Sequence, residues 1–229
     1  MNPVFFLLFI IGTLSPFGAH ATPTSKAEAS ALFDHAVLIR SQVSNGNLGF
    51  CSGVAIDAST VLTAAHCVEN NTDHRIRIGN GTDARWIAAN RPMKSSNYHP
   101  ALSKSDSDIG ILKFSKPLPF APIAICRKTH SKETLYRVGF GGRDGKHSER
   151  IFEIHGTGLE SLKGWLQLAT DQESVSGDSG GPIFALERSK PGEKLKACLY
   201  AIHSSIGLEK KPRMSYNPIV RRTLLPISF

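Results

Sequence analysis

Short runs in which apolar and polar side chains alternate recur along the chain, at Ala36 to Ile39, Val54 to Leu62, Arg75 to Ile78 and Ile109 to Phe114. Clusters of Gly, Asn, Asp and Pro separate them. A period of two marks a strand with one buried face, and the clusters supply turns, so the pattern predicts an all-β protein of many short strands. The C-terminal stretch reads differently: Asn217-Pro218 followed by Ile219, Val220, Leu224 and Leu225 predicts a capped C-terminal helix. At the other end, Pro3 to Gly18 is apolar without a charged side chain, and Ala19-His20-Ala21 has the small-x-small pattern of a signal-peptidase site. Residues 1–21 therefore read as an export signal, leaving about 208 residues from Thr22, enough for one large domain or two small barrels. The apolar segment is short for a spanning helix, and no later stretch is long and apolar enough to cross a bilayer. The expected location is secreted or periplasmic, without stable membrane insertion once the signal is removed.

Three segments carry candidate chemistry: Thr63-Ala64-Ala65-His66-Cys67, Asp108-Ile109-Gly110-Ile111-Leu112 and Gly177-Asp178-Ser179-Gly180-Gly181-Pro182. Each alone has a plain structural explanation, as a packed core histidine, the start of a buried strand and an ordinary turn. Together they supply a base, an orienting acid and a nucleophile in the chain order His, Asp, Ser. A serine hydroxyl is a poor nucleophile at neutral pH, so an imidazole must take its proton during attack and return it to the leaving amine. A buried carboxylate on one ring nitrogen selects the useful tautomer and stabilises the imidazolium. His66, Asp108 and Ser179 are the candidates, with Asp106 the rival for the acid. The glycines beside Ser179 allow a sharp turn that aims the N–H groups of Gly177 and Ser179 at a developing oxyanion.

These segments, in this order, resemble the trypsin and chymotrypsin family of serine peptidases. The resemblance covers nearly all of the chain after the export signal. It implies two packed six-stranded Greek-key β-barrels with a C-terminal helix, the triad lying in the crevice between the barrels. Residues 22–121 would hold the N-terminal segment and first barrel, and residues 122–229 the second barrel and helix, with the Pro-rich stretch Lys116 to Pro122 as the connection. Asp108 is preferred to Asp106 because the family's acid directly precedes its apolar strand. The resemblance also pairs Cys51 with Cys67 across the histidine loop. Cys126 and Cys198 remain, and their pairing is an inference by elimination, with two separate buried thiols as the alternative.

Several departures from the family bear on specificity and activation. Phe140, in Val138-Gly139-Phe140-Gly141-Gly142, stands where the family has Trp, and Val175 replaces a cysteine that braces the specificity pocket. Counting back from Ser179 puts Glu173 at the position of the trypsin pocket acid, with Ser174 beside it, which favours an Arg or Lys substrate residue. Ala201-Ile202-His203-Ser204-Ser205 instead resembles the substrate-binding strand of glutamyl endopeptidases, whose histidine helps bind an acidic residue; in either case the Ser204 backbone would pair with substrate. Ile206 and Met214 fall near glycine positions of trypsin and would shorten the pocket. The basic preference is taken as the expectation, with acidic and small apolar residues as alternatives. The Ile-Val-Gly-Gly terminus of trypsin-like zymogens, whose amine pairs with the Asp before the serine, does not occur between Thr22 and Ala36. A buried unpaired carboxylate is costly, so Asp178 is expected to find a cationic or multiple-donor partner.

Charge adds one further reading. The net charge is +8, and residues 126–229 hold 17 basic and 11 acidic side chains against 10 and 8 in residues 22–125. The excess on the second half suits a solvated basic surface or attraction to acidic partners. No basic motif interleaved with aromatics points to nucleic acid. The expectation is a monomeric secreted serine endopeptidase acting on proteins or peptides, with no metal and no organic cofactor. The rival from another class is a catalytically silent homologue that binds proteins or polyanions.

Overall fold

The computed structural model describes residues 31–79, 83–95, 97–99, 107–128, 134–143, 146–147, 150–154, 159–160, 165–170, 174–187, 196–206 and 213–220. A 3₁₀ turn at Ala31–His35 leads into seven strands: β1 (Ala36–Gln42), β2 (Leu48–Asp57), β3 (Thr60–Thr63), β4 (Thr72–Ile78), β5 (Arg85–Ala88), β6 (Arg91–Lys94) and β7 (Gly110–Lys113). They form one antiparallel sheet in the order β5-β4-β1-β2-β3-β7-β6. Its two edge strands, β5 and β6, are separated only by Ala89 and Asn90. Ala89 N–H donates to His74 O on β4, and Asn90 N–H donates to Lys113 O on β7. One bent segment thus pairs with both ends of the sheet and curls it on itself, so seven strand segments make six barrel positions and no long unpaired edge is left. The sequence run Val54 to Leu62 divides between β2 and β3, with the turn between them set by Asp57 Oδ1, which accepts from Ser59 N–H at 2.8 Å.

The second half contains β8 (Leu135–Gly139), β9 (Gly142–Arg143), β10 (Lys146–His147), β11 (Arg150–Ile154), β12 (Leu159–Glu160), β13 (Trp165–Thr170), β14 (Pro182–Glu187), β15 (Lys196–Ile202), β16 (Ser205–Ile206) and β17 (Arg213–Pro218). These give sheets in the orders β11-β8-β14-β15 and β12-β13-β17-β16, with β9 and β10 as a separate hairpin. A bridge between Ala201 and Ile219 joins the two four-stranded sheets. The helix expected from Asn217 onward does not begin there. Asn217 and Pro218 end β17, paired with Leu166 and Trp165, because the buried Asn217 amide reaches the Leu166 carbonyl instead of capping a helix. The rest of the helix expectation, residues 221–229, lies outside the described residues, as does the export signal.

Burial explains why β1 reads as almost continuously apolar. Val37 and Ile39 join Val61, Ile76 and Leu112 in a cluster contributed by the first sheet and its flanking residues. Ala36 and Leu38, on the opposite face, pack with Leu62 and Ile111 and with Tyr136, Val138, Phe184, Leu199 and Ile202 of the second half. Alternate side chains of one strand therefore serve two cores. A third cluster, including Leu135, Leu166, Ile183, Tyr200 and Ile219, belongs to the second half. Between the halves the chain from Ser115 to Cys126 is tied first to Ala58 and Ala55, by Leu118 N–H and Ile123 N–H, and then to Leu199, by Cys126 N–H. Disulfides join Cys51 to Cys67 and Cys126 to Cys198.

Candidate active site

His66 stands in a single 3₁₀ turn, Ala65–Cys67, directly after β3. Ala64 and Ala65 are buried, and β7 comes so close that a Cβ on Gly110 would lie 2.8 Å from Ala64 O, which leaves room only for glycine there. Antiparallel register pairs Thr63 with Gly110, so the residues just past β3 and just before β7 meet at one end of the sheet. Asp108 is placed there. Its Oδ2 lies 2.9 Å from His66 Nδ1, and its Oδ1 accepts the His66 backbone N–H at 3.0 Å. Asp108 is 4% exposed, while the His66 side chain is 37% exposed. Burial pushes the Asp108 carboxyl up, but the His66 side chain, the Ser204 hydroxyl and the His66 backbone N–H together hold it below its usual value. Tyr98, near the same acid, is pushed up to about 12 by burial and by the charges of Asp108 and Glu69. Asp106 lies outside the described residues.

Ser204 makes a contact that the sequence reading missed. Its backbone was expected to meet substrate, yet its hydroxyl donates to Asp108 Oδ2 at 2.5 Å, from the short link between β15 and β16. No local motif signals this, since the two residues are 96 positions apart.

Ser179 is half-buried on a turn between Val175 and β14. Gly177 and Gly180 adopt φ of 99° and 79°, a region that favours glycine. Gly180 also has no room for a side chain, because its Cβ would fall 2.1 Å from Thr63 Oγ1 and 2.3 Å from Ser52 O. This docks the Ser179 turn against the end of β3, next to the turn bearing His66. Ser179 O accepts Ser52 N–H at 2.7 Å, and Gly180 N–H donates to His203 O at 2.7 Å. Among the described residues no hydrogen bond joins Ser179 Oγ to His66. Ser176 O accepts Gly142 N–H at 3.0 Å. In a trans peptide the C=O and N–H point in opposite directions, so this bond turns Gly177 N–H the other way.

Asp178 is 1% exposed, and its carboxylate accepts Gly141 N–H at 2.9 Å and Val175 N–H at 3.0 Å. Two backbone donors thus meet the buried carboxylate. Gly141 is required here, since a Cβ would lie 2.3 Å from Asp178 Oδ1.

Of the specificity candidates, Glu173 and the side chains of Ile206 and Met214 lie outside the described residues. Ser174 and His203 are brought together: Ser174 Oγ is 2.7 Å from His203 Nε2, and His203 Nδ1 is 2.9 Å from Asn217 Oδ1. Asn217 Nδ2 donates to Leu166 O at 3.2 Å, which turns the amide oxygen toward His203. His203 Nδ1 therefore carries the proton, and Nε2 accepts from the Ser174 hydroxyl. Burial, and then the positive charge of Arg137, lower the His203 pKa to about 3, so the ring is neutral. Arg137, 1% exposed on β8, is a charge the sequence reading did not single out.

No resident metal fits the tightest donor groups among the described residues. Cys51, His66 and Cys67 form one and Cys126, Glu187 and Cys198 the other, but their sulfurs are joined as disulfides and offer no thiolate. A cavity of 430 Å³ lined by Phe33, Asp34, Phe120 and Phe140, among others, includes none of His66, Asp108 and Ser179.

Residues 32–219 match the family model described as Trypsin, and the chain belongs to that family. It is 23% identical over 203 residues to CLIP domain-containing serine protease B4 of Anopheles gambiae, covering 66% of this chain but 55% of that protein, so it spans about half the length of that relative. With Trypsin-1 of Salmo salar the identity is 23% over 198 residues, covering 68% of this chain and 80% of that one. Among solved structures, a thermostable serine protease AL20 from an extremophilic microorganism superposes with a TM-score of 0.60 at 17% identity, covering 82% of this chain and 92% of that one. That likeness supports the two-barrel fold.

Proposed function

We propose that this chain is an exported serine endopeptidase in which Ser179 attacks the scissile carbonyl, His66 carries the proton and Asp108 orients His66. The observation that carries the reading is the triply bonded Asp108 carboxylate: with Nδ1 held, His66 presents Nε2 as the base. Attack forms a tetrahedral intermediate whose oxyanion the N–H groups of Gly177 and Ser179 receive. Its collapse expels the amine with the proton from His66, and water then hydrolyses the acyl-enzyme by the same route. Export rests on the apolar N-terminal segment and on the two disulfides, which persist in oxidising compartments. A fluorophosphonate probe should label the wild type at Ser179 and leave Ser179→Ala unlabelled. An unlabelled, folded wild type would instead support a binding protein on a silent peptidase fold.

For the substrate residue before the cleaved bond, the proposal is a basic one. Ser174 spends its proton on His203 Nε2 and so offers lone pairs, which suit a guanidinium or ammonium. One observation favours a second reading: the buried Arg137 charge acts on His203 and would attract an acidic residue. Arg, Glu and Ala substrates compared on the wild type, Glu173→Gln and Arg137→Met decide between them. Arg cleavage that falls with Glu173→Gln supports the basic pocket; Glu cleavage that falls with Arg137→Met overturns it.

A further inference from the structure

Gly177 is the residue of this site with the most freedom to turn, yet the proposed reaction needs its N–H aimed at one point. Two peptide planes meet at its Cα, and each can flip because glycine tolerates both signs of φ. The preceding plane is held by Ser176 O on Gly142 N–H. The following plane, Gly177–Asp178, lies between the two donor peptides and is held by Asp178 N–H on Val175 O at 3.1 Å and by a side chain from the other half of the molecule. Ser52 Oγ–H donates to Gly177 O at 2.6 Å and at the same time accepts Phe140 N–H at 2.8 Å.

Ser52 is 0% exposed on β2, next to Cys51 of the disulfide that closes the His66 loop. Its backbone joins the same network. Ser52 N–H donates to Ser179 O at 2.7 Å, and Ser52 O accepts the Thr63 hydroxyl at 2.7 Å. One residue thus ties together the flanks of both candidate oxyanion donors, the turn at Phe140 and the strand that precedes His66. Phe140 is followed by Gly141, whose N–H holds Asp178. The Ser52 hydroxyl therefore links the Asp178 anchor to the Gly177 carbonyl, with its one proton and an acceptor lone pair both engaged.

We propose that Ser52 is a positioning residue for the oxyanion hole, its hydroxyl fixing the Gly177–Asp178 peptide that joins the two donor planes so that the hole stands formed before substrate arrives. The inference rests on the serine-peptidase reading. It concerns a step made in the transition state, so loss of the hydroxyl should act on turnover and spare ground-state binding.

The test is Ser52→Ala in the exported full chain, with active sites counted by the burst from a peptide ester so that unfolded protein does not enter the rate. Misplacing such a donor by about an ångström costs on the order of a hundredfold. The expected result is a fall in kcat of about ten- to a hundredfold, KM within about twofold, and equally weakened inhibition by a peptide aldehyde, whose adduct carries the oxyanion. Ser52→Cys, which keeps a weak donor of similar size, should fall between the two, and it replaces Ser52→Ala in every comparison if the alanine variant does not fold. A folded variant with unchanged kcat, or one whose loss lies in KM with the aldehyde affinity intact, overturns the role of Ser52. A folded wild type that gives no burst and no labelling overturns the peptidase reading itself, and the role of Ser52 with it.

Discussion

The two halves hold their parts of the candidate site by different means. In the first, His66 and Asp108 meet because β3 and β7 are paired partners, and a disulfide closes the histidine loop. Their chain neighbours Ala64, Cys67 and Ile109 lie in an apolar cluster with Leu62 and Ile111. In the second, Ser179 sits on a turn of glycines whose conformation is imposed by bonds from elsewhere: Ser52, Gly141, Gly142 and His203. Its interior also buries Arg137, His203 and Asn217. The first half thus positions side chains by strand register, and the second positions backbone by polar contacts that cross between the halves. Conditions that weaken hydrogen bonds should therefore reach the backbone around the nucleophile before the paired strands that carry the base.

The largest expected effects lie in the chemistry. Ser179→Ala should reduce turnover by roughly a million-fold, and Asp108→Asn by about ten thousand-fold through the wrong tautomer of His66. Both are read from kcat/KM on one peptide substrate. If Asp106→Asn proves the more damaging, the acid lies outside the paired register and the first half loses its distinction.

A smaller effect separates imposed from tolerated backbone. Gly180→Ala must push Thr63 or Ser52 aside, whereas Gly46→Ala, at φ 82° in the β1–β2 turn, meets nothing within 4 Å. Thermal or urea unfolding should show a loss of about 4 kcal/mol or more for the first and about 1 kcal/mol for the second. Equal losses would mean that positive φ alone governs both turns.

A further effect concerns pH. The folded pKa of His203 is about 3, lowered first by burial and then by Arg137, against about 6.5 for an unfolded imidazole. Between those values the unfolded chain binds more protons, so this contribution is full above about pH 6.5 and is lost as the pH falls toward 3. Asp108, whose pKa is lowered from 3.8, keeps its contribution until the pH falls below that value. Unfolding free energy measured from pH 7 to pH 4 should therefore decline, and His203→Gln should flatten the decline. His74, also lowered by burial, contributes to the slope with the same sign. An unchanged slope in His203→Gln would place the acid sensitivity outside the second half.

Local signals carried the class of this protein. Alternation of period two marks strands wherever one face is buried, and it is legible at Arg75, whereas the runs at Ala36 and Ile109 are nearly continuously apolar because both faces of those strands are buried. The three motif segments were legible because each packs its chemistry into a few consecutive residues, and four cysteines leave few pairings. The C-terminal end shows the limit: Asn217 and Pro218 have the residue types of a helix start, but a neighbouring strand offered Asn217 a buried carbonyl, and strand pairing won. Ser52, Ser204 and Arg137 gave no warning. A small polar residue in a strand looks the same whether its hydroxyl meets water or a carbonyl 125 positions away. Closing the sheets decided which, because only the folded path brings β2 beside Gly177 and puts Ser204 over Asp108. Periodicity and turn chemistry act over a few residues and are written in the chain. Partners for buried polar groups depend on where distant segments come to rest.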